Sequence, residues 1–313
     1  VFLIGLIVAI PRLFTEHIEY GFLVTALVMG MALITMLPSQ KVAWDEEYHF
    51  IHSYNMSITG KVVEAPLVSY YGDDTAVSSL LYPQTSEEYA SMNAYLDGEN
   101  LYDNPEYETK ASFELKDIGH IPSAIGIGIG RLFKQPLSVL YRLGRIFNLL
   151  AYVAITFFAI RHTKTCKKIM TVIALLPTTV FLAATYSYDA VLIACAFLAA
   201  AYMFTVFADK ESKMTWKTYG IIMVSMFVVC GIKMLYAPLL IALLFVPKDR
   251  FANSKTRIIM KSSIFVLFLA VMAIMLLPTL VSTSTGVEAA GDARGGSTSA
   301  SGQLKYILSK GVS

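Results

Sequence analysis

Residues 190–208 read AVLIACAFLAAAYMFTVFA, an apolar run without a single charge. A transmembrane helix needs about 20 such residues to cross the hydrocarbon core of a bilayer. The runs Gly21–Leu37, Ile169–Tyr188 and Ser262–Val281 are also uncharged and predict three more spans. The sequence therefore predicts an all-α polytopic membrane protein.

The composition of the whole chain supports this fold class. Of 313 residues, 56% are hydrophobic and 15% are charged, whereas a soluble domain is about 25% charged. The mean hydropathy is +0.58. These values exclude a disordered chain, a coiled coil, a disulfide scaffold and almost any cytosolic enzyme. The three scattered cysteines predict neither a disulfide framework nor a metal framework.

Two further apolar segments carry cations. Pro136–Ile160 is long enough to span but contains Arg142 and Arg145, and Gly220–Val246 contains Lys233. Residues 218–246 lie between two basic loops and are too short for two full spans. We therefore expect two short helices that meet near residues 231–238.

Charge in the loops predicts the orientation. Segments 161–168, 209–217 and 248–261 carry an excess of Lys and Arg, which is typical of cytoplasmic loops. Residues 38–120 hold 15 of the 23 acids and four of the 25 bases. That acidic excess predicts an extracytoplasmic loop that does not bind nucleic acid. The turn at 186–189 and the tail then lie on the same outer side.

These features predict four parts. Residues 1–37 form N-terminal transmembrane helices, of which the first, Val1–Ile10, is truncated. Residues 38–120 form a large first extracytoplasmic loop, and residues 121–281 a helix bundle with interfacial and broken helices. Residues 282–313 form a flexible Ser/Thr/Gly-rich extracytoplasmic segment, also truncated. Within 120–134, three alternate glycines predict a short interfacial or re-entrant helix that packs closely on a neighbour.

An acidic cluster follows the first outward-going helix. Asp45, Glu46 and Glu47 are adjacent, and His49 follows. A carboxylate at a membrane surface can accept a proton from a hydroxyl. On a helix, Asp45 and His49 share a face, so His49 could orient Asp45, contact a substrate or complete a divalent-cation site. An ordinary solvated cluster is the alternative.

The intramembrane cations suggest an anionic substrate. Arg142 and Arg145 lie one turn apart, and arginines inside a membrane are costly unless they are paired or functional. Guanidinium groups suit phosphate, while snorkelling or pairing with a buried acid is the alternative. Lys233 is a second candidate cation. Asp189 either caps the helix that begins at Ala190 or adds a carboxylate to the site.

Several motifs occur in a characteristic order. They are Asp45-Glu46-x-x-His49-Phe50, Pro122-Ser-Ala-Ile-Gly126, Leu143-Gly-Arg145-Ile-Phe-Asn148, Ser187-Tyr-Asp189 and Lys233-x-x-Tyr236-x-Pro238. Together they resemble a bacterial family of predicted integral membrane proteins of unknown function, grouped with the GT-C superfamily of glycosyltransferases. The resemblance covers most of residues 21–282. Trp44 and His52 stand where relatives often have Pro and Arg.

This resemblance implies a GT-C-like transmembrane helix bundle in the bacterial cytoplasmic membrane, with its active site on the extracytoplasmic side. It implies sugar transfer from a polyprenyl-phosphate donor to a glycan or cell-envelope acceptor. Asp45 matches the essential acid of such enzymes and would act as general base, with Glu46 or His49 orienting it. The lipid-phosphate site would then comprise the remaining candidates: Arg142, Arg145, Lys233, Asp189 and Tyr236.

Two other classes remain open. A transporter or flippase for lipid-linked glycans would use the same cations and cavity, although transporters usually show repeated halves, and we find no internal repeat. A non-catalytic scaffold of envelope assembly is the third hypothesis. No cofactor is required by any of them, but Asp45, Glu46 and His49 could bind a divalent cation.

Overall fold

The computed structural model describes residues 14–39, 42–57, 85–98 and 115–285, together with positions 306 and 309. The chain divides into two compact units, residues 1–233 and 234–313. The described residues form helices and turns without any strand, which confirms the all-α prediction. Val1–Ile10, most of the tail and large parts of the acidic loop lie outside the described residues.

The first unit contains nine α-helices within the described ranges, and a 3₁₀ helix, Leu115–His120, precedes the fourth of them. The α-helices are α1 Ile18–Met36, α2 Glu46–Ser57, α3 Ser86–Gly98, α4 Ile121–Leu132, α5 Leu137–His162, α6 Lys167–Ala174, α7 Pro177–Ala183, α8 Asp189–Ala208 and α9 Trp216–Ile232.

The second unit begins with short helical turns and ends in a long helix. Its elements are a 3₁₀ helix Met234–Tyr236, α10 Leu239–Ala242, 3₁₀ helices Leu243–Phe245 and Lys248–Arg250, and α11 Ser254–Thr285.

Among the residues that the structure describes, four helices are long and apolar enough to cross a membrane. They are α1, α5, α8 and the portion Ser254–Ile274 of α11. This confirms a polytopic protein, and it confirms helices at the predicted spans Gly21–Leu37, Pro136–Ile160 and Ala190–Ala208. The predicted span Ser262–Val281 lies inside α11.

The structure differs from the prediction at Ile169–Tyr188. This apolar run forms two short helices, α6 and α7, instead of one continuous span. Pro177 has no N–H to donate and disfavours helical backbone at the residue before it. Leu176 accordingly has ψ 136°, and the helix restarts with Pro177 in its first turn.

Two expected helix irregularities are confirmed. α9 ends at Ile232, and a 3₁₀ helix starts at Met234, within the segment where a break is expected. α4 has 12 residues, too few to span a bilayer. A Cβ added at Gly126 would lie 2.5 Å from the carbonyl oxygen of Leu143, so α4 and α5 touch through their backbones as the glycine spacing predicts.

α5 is the central helix of the first unit and packs against α1, α4 and α8. Phe22, Leu149 and Tyr152 are buried in this core. The Tyr152 hydroxyl donates to the carbonyl oxygen of Ala174, at 2.7 Å, and so ties α5 to α6. At the start of α5, the Asp97 carboxylate accepts the backbone N–H of Ser138 at 3.0 Å, which docks α3 there.

The two ends of this bundle differ in their charges. At one end Lys164 pairs with Asp209 at 2.7 Å, and Lys167 with Glu19 at 3.4 Å. The basic segments 161–168 and 209–217 therefore share that end. The start of α2, the 3₁₀ helix and the turn 184–188 gather at the start of α5, at the opposite end. This arrangement agrees with the predicted alternation of the loops, whose assignment to cytoplasm and exterior stays a prediction.

Candidate functional site

The site begins with a buried carboxylate. Glu46 Oε1 accepts Nε and Nη2 of Arg145, at 2.9 and 2.8 Å, and the backbone N–H of Tyr186 at 2.9 Å. Its Oε2 accepts the N–H groups of Val42 and Ala43, at 2.8 and 3.0 Å. The side chains of Glu46 and Arg145 are both 0% exposed. Glu46 therefore holds the start of α2, helix α5 and the turn 184–188 together.

Arg145 faces protein groups rather than open space. Besides Glu46, it donates Nη1 to the carbonyl oxygen of Pro38 at 2.7 Å, and its guanidinium lies 4.7 Å from the centre of the Tyr141 ring. The sequence left two roles open for Arg145, phosphate binding and pairing with a buried acid. The contact with Glu46 is of the second kind. The assignment of Arg145 to lipid phosphate stays a prediction, which this geometry does not favour.

The turn 184–188 is locked onto α5 by side chains. Asn148 Nδ2 donates to the carbonyl oxygens of Thr185 and Ser187, at 2.8 and 3.2 Å. The Tyr186 hydroxyl donates to the carbonyl oxygen of Tyr141 at 3.0 Å. A Cβ added at Gly144 would overlap that hydroxyl. Only glycine at position 144 leaves room for the Tyr186 hydroxyl. This close contact and the hydrogen bonds above fix the turn against α5.

A second ion pair lies directly after the turn, at the start of α8. Lys233, at the end of α9, donates Nζ to Asp189 Oδ1 at 2.6 Å, and the two side chains are 37% and 28% exposed. Nζ also lies 5.1 Å from the centre of the Tyr188 ring. α8 begins at Asp189 itself without a side-chain cap, and the Asp189 carboxylate binds Lys233.

Asp45 precedes α2 with its backbone in the left-handed region, at φ 55°. Such a conformation is uncommon outside glycine and persists only where its surroundings hold it. The neighbouring Glu46 is fixed from five donors, and the Asp45 carbonyl oxygen accepts the N–H of His49 at 3.1 Å. The side chain is half-buried. Asp45 is thus a partly accessible carboxylate on a rigid turn.

Three histidines and an aspartate form a cluster between α2 and the 3₁₀ helix Leu115–His120. His49 Nδ1 lies 3.0 Å from His120 Nε2. Asp117 Oδ1 lies 3.0 Å from His52 Nδ1 and 3.6 Å from His120 Nδ1. His49, Asp117 and His120 are buried, and the His52 side chain is 26% exposed. We refer to these four residues as the histidine cluster.

The histidine cluster adjoins the Lys233 pair. The edge of the His49 ring meets Tyr188, with centres 4.6 Å apart, and Tyr188 lies beneath Lys233. Burial, assisted by the nearby His120, His52 and Lys233, lowers the pKa of His49 to about 3, so His49 is neutral at pH 7. Burial also lowers the pKa of His52, against the opposing effect of Asp117.

Sequence reasoning missed His52, Asp117 and His120. Their spacing carried a signal, because His49 and His52 are three residues apart and so are Asp117 and His120. Such spacing places paired ligands on one face of a helical turn. The two pairs come from opposite ends of the long acidic loop, and only the packing of α2 against the 3₁₀ helix brings them together.

Arg142 and Tyr236 are the two other predicted site residues. Arg142 Nη2 donates to the Tyr89 hydroxyl at 3.0 Å, and that hydroxyl donates to the carbonyl oxygen of Leu37 at 3.2 Å. Tyr89 on α3 therefore links Arg142 on α5 to the end of α1. Tyr236 belongs to the second unit, where it is exposed. The centre itself brings together Asp45, Glu46, His49, Arg145, Asp189 and Lys233.

An apolar groove of about 560 Å³ opens between α1 and α7. It reaches Met36, the last residue of α1, and Phe181, shortly before the turn 184–188. The groove is therefore an apolar surface close to the polar centre. Its lining consists of Met29, Ala32, Leu33, Met36, Pro177, Thr178 and Phe181.

Comparison with known proteins places the chain in a family. Neither the curated proteins nor the solved structures include a significant match. Residues 85–312 match the model of a family described as predicted membrane protein, DUF2142. The match covers the turn 184–188, the Lys233 pair and two members of the histidine cluster, Asp117 and His120. Because it spans well over half of the chain, the protein belongs to this family of predicted membrane proteins, DUF2142.

Proposed function

We propose that the protein is a membrane glycosyltransferase of the GT-C type, which transfers a sugar from a polyprenyl-phosphate donor to an extracytoplasmic glycan or cell-envelope acceptor. One observation carries the proposal. A partly accessible carboxylate, Asp45, is held on a rigid turn at the end of apolar helices, with the accessible cation Lys233 at the same end. A donor that combines a lipid tail, a phosphate and a sugar suits that arrangement, together with an acceptor that offers a hydroxyl group.

Asp45 acts as general base in this mechanism. Its carboxylate accepts the proton of the acceptor hydroxyl as that oxygen attacks the anomeric carbon of the donor sugar. The bond from the anomeric carbon to the phosphate oxygen breaks, the electron pair leaves with the lipid phosphate, and the configuration inverts. Asp45 later returns its proton to water. The products are the glycosylated acceptor and polyprenyl phosphate.

Lys233 stabilises the leaving phosphate. Its side chain is 37% exposed and pairs with the Asp189 carboxylate. An arriving phosphate can therefore share Lys233 with Asp189 without first breaking a buried pair. Preorganised charge at the atom where negative charge develops is a major source of rate enhancement. Arg142 is a second candidate for phosphate, and Tyr236 stays a prediction.

Glu46 and His49 are positioning residues. Glu46 fixes the backbone on both sides of Asp45 through Val42, Ala43 and Arg145. His49 donates its backbone N–H to the Asp45 carbonyl oxygen. Both contacts hold the base in one orientation, which is the geometric requirement for proton transfer.

The apolar groove between α1 and α7 accommodates the prenyl chain. Six of its seven lining residues are apolar, so a prenyl chain that enters from the bilayer passes from one apolar environment to another and gains packing contacts. A chain in this groove approaches the polar centre from within the bilayer. The phosphate then reaches Lys233 while the prenyl chain next to it lies in the groove.

The decisive experiment is sugar transfer by the Asp45→Asn variant. Membranes that contain the protein are supplied with a polyprenyl-phosphate sugar labelled in the sugar and with cell-envelope glycan, and covalent transfer is counted. We expect a loss of about 10²- to 10⁴-fold, because a general base contributes that much. Asp209→Asn, the same chemical change in a loop at the opposite end of the bundle, is the control and should transfer normally.

The same assay separates the rival functions. A flippase for lipid-linked glycans moves label across the membrane without forming a covalent product. A scaffold shows full envelope assembly with Asp45→Asn. Normal covalent transfer by Asp45→Asn would overturn the proposed mechanism.

A further inference from the structure

We propose that His52, Asp117 and His120 form a binding site for a divalent transition-metal ion of the zinc class. Their three ligand atoms lie within 4.8 Å of one another. The site differs from the Asp45, Glu46 and His49 set considered from the sequence, because Glu46 is saturated by protein donors. The proposal does not depend on the glycosyltransferase assignment.

The distances fit a metal ion with short bonds. Zinc binds histidine nitrogen and carboxylate oxygen at about 2.0–2.2 Å, so two ligand atoms in a tetrahedral site are roughly 3.4 Å apart. Asp117 Oδ1 lies 3.0 Å from His52 Nδ1 and 3.6 Å from His120 Nδ1. Small rotations of these side chains bring the three ligand atoms to bonding distance of one ion.

The donor set selects the class of ion. Two imidazoles with one carboxylate suit zinc and other first-row transition metals. Magnesium and calcium prefer shells made of oxygen ligands. A transition-metal ion is therefore expected to bind in preference to either of these.

A buried ring nitrogen favours a cation at this site. Within the described part of the chain, His120 Nδ1 is buried and has no hydrogen-bond partner, since 3.6 Å to Asp117 exceeds hydrogen-bonding distance. When His120 Nε2 carries the proton and donates to His49, Nδ1 turns a lone pair toward the Asp117 carboxylate. Two acceptors facing each other in a buried site are stabilised by a cation between them.

His49 supplies the supporting contact that such sites use. Histidines that bind metal usually donate their other ring N–H to an acceptor, which fixes the tautomer and the ring orientation. The 3.0 Å contact between His120 Nε2 and His49 Nδ1 has this form. His49 is in turn held against Tyr188.

The position of the site in the chain suggests what the ion does. His52 lies on α2, whereas Asp117 and His120 lie on the 3₁₀ helix before α4. An ion bound by all three joins the beginning of the long acidic loop to its end. Three protein ligands also leave one position for water or an anionic oxygen, and the partly exposed His52 offers an entry path.

Zinc titration of the purified protein tests the proposal. The full chain, with any affinity tag removed, is stripped with a chelator in detergent and titrated calorimetrically with Zn²⁺. We expect one ion per chain. His120→Gln and Asp117→Asn should each weaken binding at least tenfold, and His49→Gln should weaken it by about 10- to 100-fold.

A matched control comes from the opposite end of the bundle. His162 stacks on Tyr202, with ring centres 3.6 Å apart, and His162→Gln should bind Zn²⁺ like the wild type. Because buried variants can fail to fold, His52→Gln at the partly exposed position is measured alongside them. Gel filtration identifies the folded variants, and the absorption spectrum of bound Co²⁺ reports on the ligand set.

Two results would contradict the proposed metal site. Absence of stoichiometric Zn²⁺ binding to the wild type, or wild-type affinity in folded His52→Gln, contradicts it. Because no sugar donor is present in this titration, its result is independent of the Asp45→Asn transfer assay. Zinc binding without transfer would retain the metal site and remove the proposed enzyme.

Discussion

Two ion pairs lie at the turn 184–188, one bonded to its backbone and one directly after it, and they differ in their access to water. Glu46 and Arg145 are 0% exposed, and their polar atoms are engaged by the backbone as well as by each other. Lys233 and Asp189 are 37% and 28% exposed and meet through one 2.6 Å contact. A saturated buried pair determines position, whereas an accessible pair can exchange one partner for a ligand. The turn is thus held by one saturated buried pair and adjoins one accessible pair, Lys233 and Asp189.

The largest expected effect is on the buried pair. Arg145→Met leaves the Glu46 carboxylate buried without its cation, and we expect a loss of about 3–5 kcal/mol in the free energy of unfolding. Thermal unfolding in detergent measures it. The matched control Lys164→Gln removes an exposed cation from its pair with Asp209 and should leave the melting temperature almost unchanged.

A double-mutant cycle sharpens this prediction. Glu46→Gln combined with Arg145→Met removes both charges, so it should cost less than the sum of the two single changes. Additive losses would show that the two side chains do not act as a pair.

The next effect concerns the packing of the turn. Gly144→Ala places a methyl group where the Tyr186 hydroxyl lies, and we expect a loss of about 1–3 kcal/mol from overpacking. Gly220→Ala is the control, since nothing lies within 4 Å of its added Cβ. Within α9 that change should stabilise by up to about 1 kcal/mol. Equal melting temperatures for the two variants would contradict the lock on Tyr186.

The smallest expected effect on stability is at the accessible pair. Lys233→Gln removes a cation that water already screens, so the free energy of unfolding should fall by less than about 1 kcal/mol. Under the proposed function, sugar transfer should fall nevertheless, because the leaving phosphate loses its cation. A destabilisation as large as that of Arg145→Met would erase the contrast between the two pairs.

Much of the fold follows from the sequence because hydropathy is a local property. The uncharged runs predict α1 and α8, and the length of residues 218–246 predicts the break after Ile232. At Ile169–Tyr188 the segment still runs from one end of the bundle to the other, but one proline breaks its helix without changing the hydropathy. A window that averages apolar character cannot detect such a break, whereas the steric limits on Leu176 produce it.

The candidate site was predicted only in part. Asp45, Glu46 and His49 stand out because they are adjacent polar residues beside a span. The sequence alone does not distinguish Glu46 from Asp45, although packing buries one and leaves the other partly accessible. The histidine cluster was missed because its members come from opposite ends of the acidic loop.

By itself, the sequence determined an all-α membrane protein with an acidic loop and rare intramembrane cations. Tertiary structure decided which cation pairs with which acid. Glu46 meets Arg145 across 99 positions of the chain, and His49 meets His120 across 71. Apolar patterning acts between neighbours along a helix, but the energy of a charge depends on which groups exclude water around it. That environment exists only once α2, α5 and the turn 184–188 have packed together.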